Sequence, residues 1–328
     1  MSEQHPFEKL DPEAVLAAVE SLADCRSDGR LLALNSYENR VYMVGVEEGP
    51  ALVAKFYRPD RWSDAQIHEE HAFARELAAA EVPVVPPLSG PEGSLGRRHG
   101  FRVALYPMRG GRMLEVDNEQ VLRRLGSYIG RIHAVGAAQP FTERPPLDPG
   151  DRGREARDRV LEGGWIPVHL EEAYRSLTED LFVAMEACWQ RAGAVASIRL
   201  HGDFHPGNVL QTEDGFHLVD LDDTRTGPAI QDLWMLLPGE REEREAALAA
   251  VLEGYRLFCA FHPRELHLIE PLRTLRLLRH AAWLAERWDD PAFPQAFPWF
   301  GEARYWEEHL LALREQLAAL AEPPLQAP

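Results

Sequence analysis

The sequence predicts an α+β fold in two lobes, a small antiparallel sheet with one main helix followed by a larger, mainly helical part. Three observations point there. Strand-like runs crowd residues 31–57 and return at Phe101–Tyr106, the turn-rich Arg109-Gly110-Gly111-Arg112 breaks that pattern, and beyond about residue 110 the apolar period is mainly helical. The expected lobes are 1–108 and 109–328. A chain of 328 residues with 45% hydrophobic content can build two cores at about 150 residues each.

The elements follow in order. Asp11-Pro12-Glu13 combines an N-cap, a proline at the first helical position and an early acid, and it opens a helix with Val15, Leu16, Val19 and Leu22 at core spacing. The runs Leu31–Leu34, Arg40–Val44 and Ala51–Tyr57, the last two split by Glu47-Glu48-Gly49-Pro50, read as an antiparallel meander. Ser63-Asp64-Ala65-Gln66 has the capping-box form and opens a helix that runs to about Ala80, where Glu81-Val82-Pro83 stops it. Helical patterns then cover 118–135, 171–190, 241–260, 264–288 and 302–320. Residues 141–165, rich in Pro, Gly and alternating charge, are expected to form a long connection or lid. Short strands and tight turns are expected between Ile198 and Asp220.

Charge narrows the function. With 35 basic and 53 acidic side chains the formal charge is −18, which repels phosphate backbones and excludes a nucleic-acid partner held by counterion release. Only Lys9 and Lys55 among the basic residues are lysine, in a chain that otherwise uses arginine, and the two ions are not interchangeable at a tight site. Cys25, Cys188 and Cys259 show no paired spacing, so no disulfide framework is expected and a reducing, cytoplasmic location fits. Met1–Leu10 lacks an apolar core, and no apolar run approaches the ~18 residues of a membrane span, so neither a signal peptide nor a membrane partner is expected.

The densest polar stretch is Leu200-His201-Gly202-Asp203-Phe204-His205-Pro206-Gly207-Asn208-Val209, followed by His217-Leu218-Val219-Asp220-Leu221-Asp222-Asp223. A carboxylate early in a turn-rich loop, an amide five residues on and a second carboxylate at the end of an apolar run can converge on one point. That donor set suits magnesium, which takes oxygen ligands from one or two side chains and fills the rest with water and phosphate. Taken alone, any one of these Asp residues reads as an N-cap or turn residue. A zinc site gathered from His201, Asp203, His205 and His217 is the competing arrangement, but it leaves Asn208 and Lys55 without a task. Lys55 interrupts the apolar run Leu52–Tyr57, and a buried lysine needs a partner, for which the following helix offers Glu69 and Glu70. Asn35–Asn39 is a small polar turn whose Ser36 hydroxyl and backbone N–H groups can approach a phosphate; a plain hairpin turn reads equally well.

These segments resemble the protein-kinase-like fold of the aminoglycoside and choline phosphotransferases, and most closely the bacterial YihE-type stress response kinases. Leu34–Tyr42, Lys55–Pro59, Ile67–His71 leading to Val82-Pro83-Val84, His201–Asn208, Val219–Asp223 and Gln231–Leu237 carry the likeness. The resemblance implies a bilobal kinase with ATP and Mg2+ in its cleft. It makes Asp203 the base, Asn208 and Asp220 the metal ligands, Asp220 also an active-site acid, and Lys55 the holder of the α- and β-phosphates, paired with Glu70 in preference to Glu69. It further implies that Ser36 touches ATP, that the backbone at Met108 meets the adenine, and that Asp232 and His133 are structural. The acceptor it implies is a Ser or Thr hydroxyl on a protein, including the chain's own, with a monomeric enzyme; a small-molecule kinase of the choline, homoserine or aminoglycoside type is the alternative. A nucleotide-binding regulator without catalysis is disfavoured because Lys55, Asp203, Asn208 and Asp220 are all present. The sequence departs from the pattern of protein kinases of the eukaryotic type. The loop at Asn35–Asn39 lacks glycine, Asp220-Leu221-Asp222 replaces Asp-Phe-Gly, and eleven residues between Asp220 and Asp232 leave little room for a phosphorylated activation loop.

Overall fold

A computed structural model describes residues 5–116, 118–213 and 215–327, so the first four residues of the Met1–Leu10 stretch lie outside it. The elements run α1 (Pro12–Ala23), β1 (Ser27–Ala33), β2 (Arg40–Val46), β3 (Leu52–Phe56), α2 (Asp64–Ala79), β4 (Gly96–Arg98), β5 (Phe101–Pro107), β6 (Arg112–Met113) and α3 (Glu119–Gly136). There follow α4 (Pro149–Glu162), α5 (Val168–Ala192), β7 (Ile198–Leu200), β8 (Val209–Gln211), β9 (Phe216–Leu218) and β10 (Arg225–Gly227). The chain ends with α6 (Arg241–Tyr255), α7 (Ile269–Glu286), α8 (Ala292–Ala296) and α9 (Ala303–Ala321). The architecture is α+β. Two compact units emerge, one of residues 1–117, 134–145 and 201–225, the other of 118–133, 146–200 and 226–328.

The first unit is built on an antiparallel sheet of order β1-β2-β3-β5-β4. Its register pairs Val41 with Lys55 and Lys55 with Ala104. Because side chains alternate across a strand, Ala54 and Phe56 turn to the other face with Val44, Phe101, Val103 and Leu105, where α1 adds Val15, Ala18, Val19 and Leu22. That leaves Lys55 on the face of Ala104, where α2 packs Ile67 beside Tyr57. Each fully buried Val or Leu on such a face contributes about 1.5–3 kcal/mol of hydrophobic stabilisation. Both helix starts follow the sequence chemistry: the Asp11 carboxylate accepts from the Ala14 N–H at 2.8 Å, and Ser63 and Gln66 form a reciprocal capping box. After α2 the chain leaves through Glu81 at φ +59°, and Pro83 and Val85 bond to Leu218 of β9 in the small sheet β6-β8-β9.

The second unit is helical. Tyr174, Leu181, Phe182 and Met185 of α5 meet Leu278 of α7 and Trp306, Leu310 and Leu313 of α9 in one core. Glycine lets α3 and α6 touch: a Cβ on Gly126 would stand 2.0 Å from the Val251 carbonyl oxygen, and one on Gly254 1.9 Å from that of Arg123.

One expectation needs correction. Residues 141–165 are not all connection, because α4 occupies Pro149–Glu162. Asp148 caps it through the Gly150 and Asp151 amides, and Ala156 and Val160 are buried in the helical core. The charges and glycines around those two residues hide a period that packing makes real. Two smaller differences concern strands: β1 starts at Ser27, ahead of the apolar run, and the edge strand β4 carries too little apolar character to be read from sequence.

Candidate active site

Every residue of the site described here belongs to the first unit. Lys55 is 7% exposed, and its ammonium is surrounded by carboxylates. Nζ lies 2.7 Å from Asp222 Oδ1, 3.6 Å from Asp220 Oδ1 and 3.8 Å from Glu70 Oε1. The Tyr57 ring supports it from another side at 4.8 Å. Burial alone lowers the affinity of the amine for its proton, yet the attraction of Asp222, Glu70 and Asp220 outweighs it and pushes the Lys55 pKa up. The ammonium stays charged throughout the neutral range.

Glu70, not Glu69, faces the lysine. Neighbouring residues on a helix point about 100° apart, and Glu69 turns to the segment after α3, accepting the Thr142, Glu143 and Arg144 amides at 2.6, 3.0 and 2.7 Å. The second oxygen of Glu70 accepts from Arg144 Nη2 at 2.7 Å. Burial raises the Glu70 pKa, with Lys55 and Arg144 opposing the rise.

Asp222 is the hub of the cluster. Its Oδ2 meets the Arg61 guanidinium and accepts from Asn39 Nδ2 at 3.3 Å, while Oδ1 takes Lys55. Burial disfavours this carboxylate, but Arg61 and Lys55 overcome that and hold its pKa down to about 2. Arg61 also reaches Asp223 at 3.1 Å.

The loop between β1 and β2 is fixed without glycine. Ser36 Oγ donates to the Asn39 carbonyl at 3.2 Å, Arg58 donates to the Glu38 and Tyr37 carbonyls at 2.8 and 3.1 Å, and Asn39 Oδ1 accepts the Arg58 amide at 3.0 Å. Ser36 thus shapes the turn, and Asn39 ties it to Asp222.

Gly202 opens the polar loop at φ +88°, and a Cβ there would lie 2.1 Å from the Asp223 carbonyl, so glycine lets the loop lie against the Asp222-Asp223 turn. Asp203 follows, its side chain 27% exposed, with His205 Nε2 3.3 Å from Oδ2. Asn208 Nδ2 donates to the Asp203 carbonyl at 2.9 Å, and the Asn208 carbonyl accepts the Val219 amide at 3.0 Å. With its nitrogen engaged, Asn208 offers its side-chain oxygen as the atom a cation can take. Asp220 adopts a left-handed conformation at φ +63°, which a non-glycine residue holds only when its surroundings impose it. Desolvation and the Asp222 and Asp223 carboxylates raise its pKa, against Lys55 and Arg61. One amide oxygen and one carboxylate are hard oxygen donors that fit Mg2+. The zinc arrangement does not form: His201 is buried and its Nε2 donates to the Val219 carbonyl at 3.1 Å, and no cluster of three His, Cys, Asp or Glu suited to a metal ion occurs among the described residues.

The structure therefore brings Lys55, Glu70 and Asp220 into direct proximity, joins Asp203 to Asn208 and Asn208 to the strand leading into Asp220, and connects Ser36 through Asn39. Met108 stands at the other end of the β3–β5 pair, where its N–H donates to the Ala51 carbonyl at 3.1 Å. Any contact of Met108 with a base falls to its carbonyl or side chain. Sequence reasoning left the role of Asp222 open and missed Arg61 and Arg144. The signal for Asp222 was the second acid of Asp-Leu-Asp; the two arginines stood out in no way among so many.

Comparison with known proteins gives the family and the fold. Residues 30–269 match the model of the phosphotransferase enzyme family. The chain is 44% identical over 320 residues to stress response kinase A of Salmonella choleraesuis (strain SC-B67), covering 98% of this chain and 96% of that one. It is 43% identical over the same length and shares to the serine/threonine protein kinase RdoA of Salmonella typhimurium. Among solved structures, the amicoumacin kinase hAmiN in complex with AMP-PNP, Ca2+ and Ami shares the fold with a TM-score of 0.76 at 19% identity, over 97% of this chain and 96% of that one. The fold is protein-kinase-like, and the chain belongs to the phosphotransferase enzyme family and, within it, to the group of the stress response kinases.

Proposed function

We propose that the chain transfers the terminal phosphate of Mg2+-bound ATP to a Ser or Thr hydroxyl of a protein, its own chain included. The observation that carries this reading is Lys55 held at once by Glu70, Asp220 and Asp222, with the Val219 amide just before Asp220 bonded to the Asn208 carbonyl of the Asp203–Asn208 loop. Lys55 grips the α- and β-phosphates, exchanging part of its carboxylate shell for phosphate oxygens. Asn208 and Asp220 hold the magnesium, which neutralises charge developing on the phosphates. Asp203, partly open to solvent, accepts the proton of the attacking hydroxyl as its oxygen bonds to phosphorus and the bond to the leaving ADP oxygen breaks. Ser36 shapes the loop over the phosphates, and the carbonyl side of Met108 faces the base. The functional division is then a nucleotide-binding part over 1–108 and a catalytic part over 109–328.

The relatives' names support a protein acceptor and a role in stress response. Three free cysteines suit a reducing compartment such as the cytoplasm, and no helix among the described residues is long and apolar enough to cross a membrane. Incubation with labelled ATP and Mg2+ is the test. Wild type is expected to label itself or an added protein, and Asp203→Ala is expected not to. Undiminished labelling in Asp203→Ala removes the proposed base, and transfer to small alcohols alone overturns the protein acceptor.

A further inference from the structure

Arg144 lies in the segment between α3 and α4 and takes no part in the chemistry just described. Its side chain has no exposed surface, and it is bonded on every side. Nη2 donates to Glu70 of α2 at 2.7 Å, and Nε to the Gln66 carbonyl one turn earlier at 2.9 Å. Nη1 donates to the carbonyls of Asp222 at 2.6 Å and Thr224 at 3.3 Å, and the guanidinium lies 4.2 Å from the Trp62 ring. The backbone carrying it is pinned as well, since the Thr142, Glu143 and Arg144 amides all donate to Glu69. One planar cation thus fastens α2 to the turn that follows Asp220, and these are the two pieces of chain whose carboxylates surround Lys55. A lysine could not do this, because only the guanidinium fork serves a carboxylate and two carbonyls at fixed angles.

We propose that Arg144 is a positioning residue: by clasping Glu70 to the Asp220–Asp222 turn it holds Lys55 in working place with no phosphate group on the chain. The inference rests on the kinase reading given above. It follows from bonding that is complete within the chain: the cation that a phosphorylated loop would have to recruit elsewhere is here already seated on Glu70 and on the Asp222 backbone. The short Asp220–Asp232 interval is consistent with a site assembled this way.

The test uses the full chain, treated with phosphatase and shown by mass spectrometry to carry no phosphate. Wild type is expected to turn over labelled ATP at its full rate from the first time point. Arg144→Met is expected to lose about 10²-fold in kcat per folded molecule, as small displacements of positioned groups do. Calorimetry without Mg2+ is expected to show its ATP affinity weakened by less than about tenfold. Arg144→Lys is expected to fall between the two in kcat. If Arg144→Met does not fold, the pair Arg144→Met with Glu70→Gln removes both buried charges, and Arg144→Lys carries the kcat comparison. A lag in phosphate-free wild type that prior phosphorylation removes overturns the proposal, and so does wild-type kcat in Arg144→Lys and Arg144→Met. Failure of the kinase reading looks different: no phosphate-bearing acceptor forms with wild type at all.

Discussion

The surroundings of Lys55 and of Asp203 differ in kind. Lys55 is buried among three carboxylates, two of which are themselves held by Arg61 and Arg144, so its place is settled by folding before any ligand arrives. Asp203 is partly open, stands 3.3 Å from the His205 ring nitrogen, and owes its position to a glycine and an amide beside it. A grip on a highly charged nucleotide has to resist rearrangement, whereas a group that accepts a proton from an arriving hydroxyl needs free surface. Substitutions in the first region should therefore harm stability and activity together, and substitutions in the second should harm activity alone.

The largest expected effect follows from Asp203→Ala, a fall of about 10³-fold in phosphate transfer with the unfolding free energy within about 0.5 kcal/mol of wild type. Rates and urea unfolding on the same preparation check both halves, and a large loss of stability breaks the contrast. Lys55→Met comes next. It strands the buried Asp222 and Glu70 carboxylates, and urea unfolding should show a loss of about 3 kcal/mol or more besides the loss of transfer.

Acid should act on the Lys55 side of the contrast. Tyr57, beneath the lysine, shares a hydrogen bond of 2.9 Å with His71, whose other ring nitrogen meets Ser94 at 2.9 Å. Burial, helped by the nearby Lys55 charge, lowers the His71 pKa to about 3. A histidine depressed in the folded state binds its proton more readily when unfolded, so its contribution is intact above pH 6.5 and erodes as pH falls towards 3. Between pH 6.5 and pH 5 the unfolding free energy should drop by about 2 kcal/mol from this residue, a drop that His71→Gln removes. Asp222, depressed to about 2, adds a loss only below about pH 4, as the pH falls through its folded value. The smallest effect belongs to His205→Gln, with a change of about threefold in rate and less than about 1 kcal/mol in stability, because its imidazole accepts the Gly207 amide and stands 3.3 Å from Asp203 on a partly exposed loop.

The same contrast explains what the sequence let one read. The meander, the capping box at Ser63 and the Asp203–Asn208 loop are local patterns, and local patterns survive in a one-dimensional string. Lys55 was conspicuous because a charge broke an apolar strand in a chain with only one other lysine. The choice of Glu70 over Glu69 came from family likeness, since adjacent helical residues differ only in which neighbour their direction finds. Arg61 and Arg144 were illegible for another reason: each bonds to a carboxylate far along the chain, Asp222 and Glu70, and no spacing rule connects such partners. Helix α4 was hidden by composition, its buried Ala156 and Val160 set among charges.

The central claim is that gripping the nucleotide and accepting the proton are separate tasks of separate residues. Asp203→Asn tests it most directly, since the amide keeps the shape of the carboxylate but cannot take the proton. Calorimetric titration with ATP and Mg2+, paired with labelled-phosphate transfer, should find nucleotide affinity within about threefold of wild type and transfer reduced by about 10³-fold. Transfer at the wild-type rate, or ATP binding lost together with transfer, would contradict it.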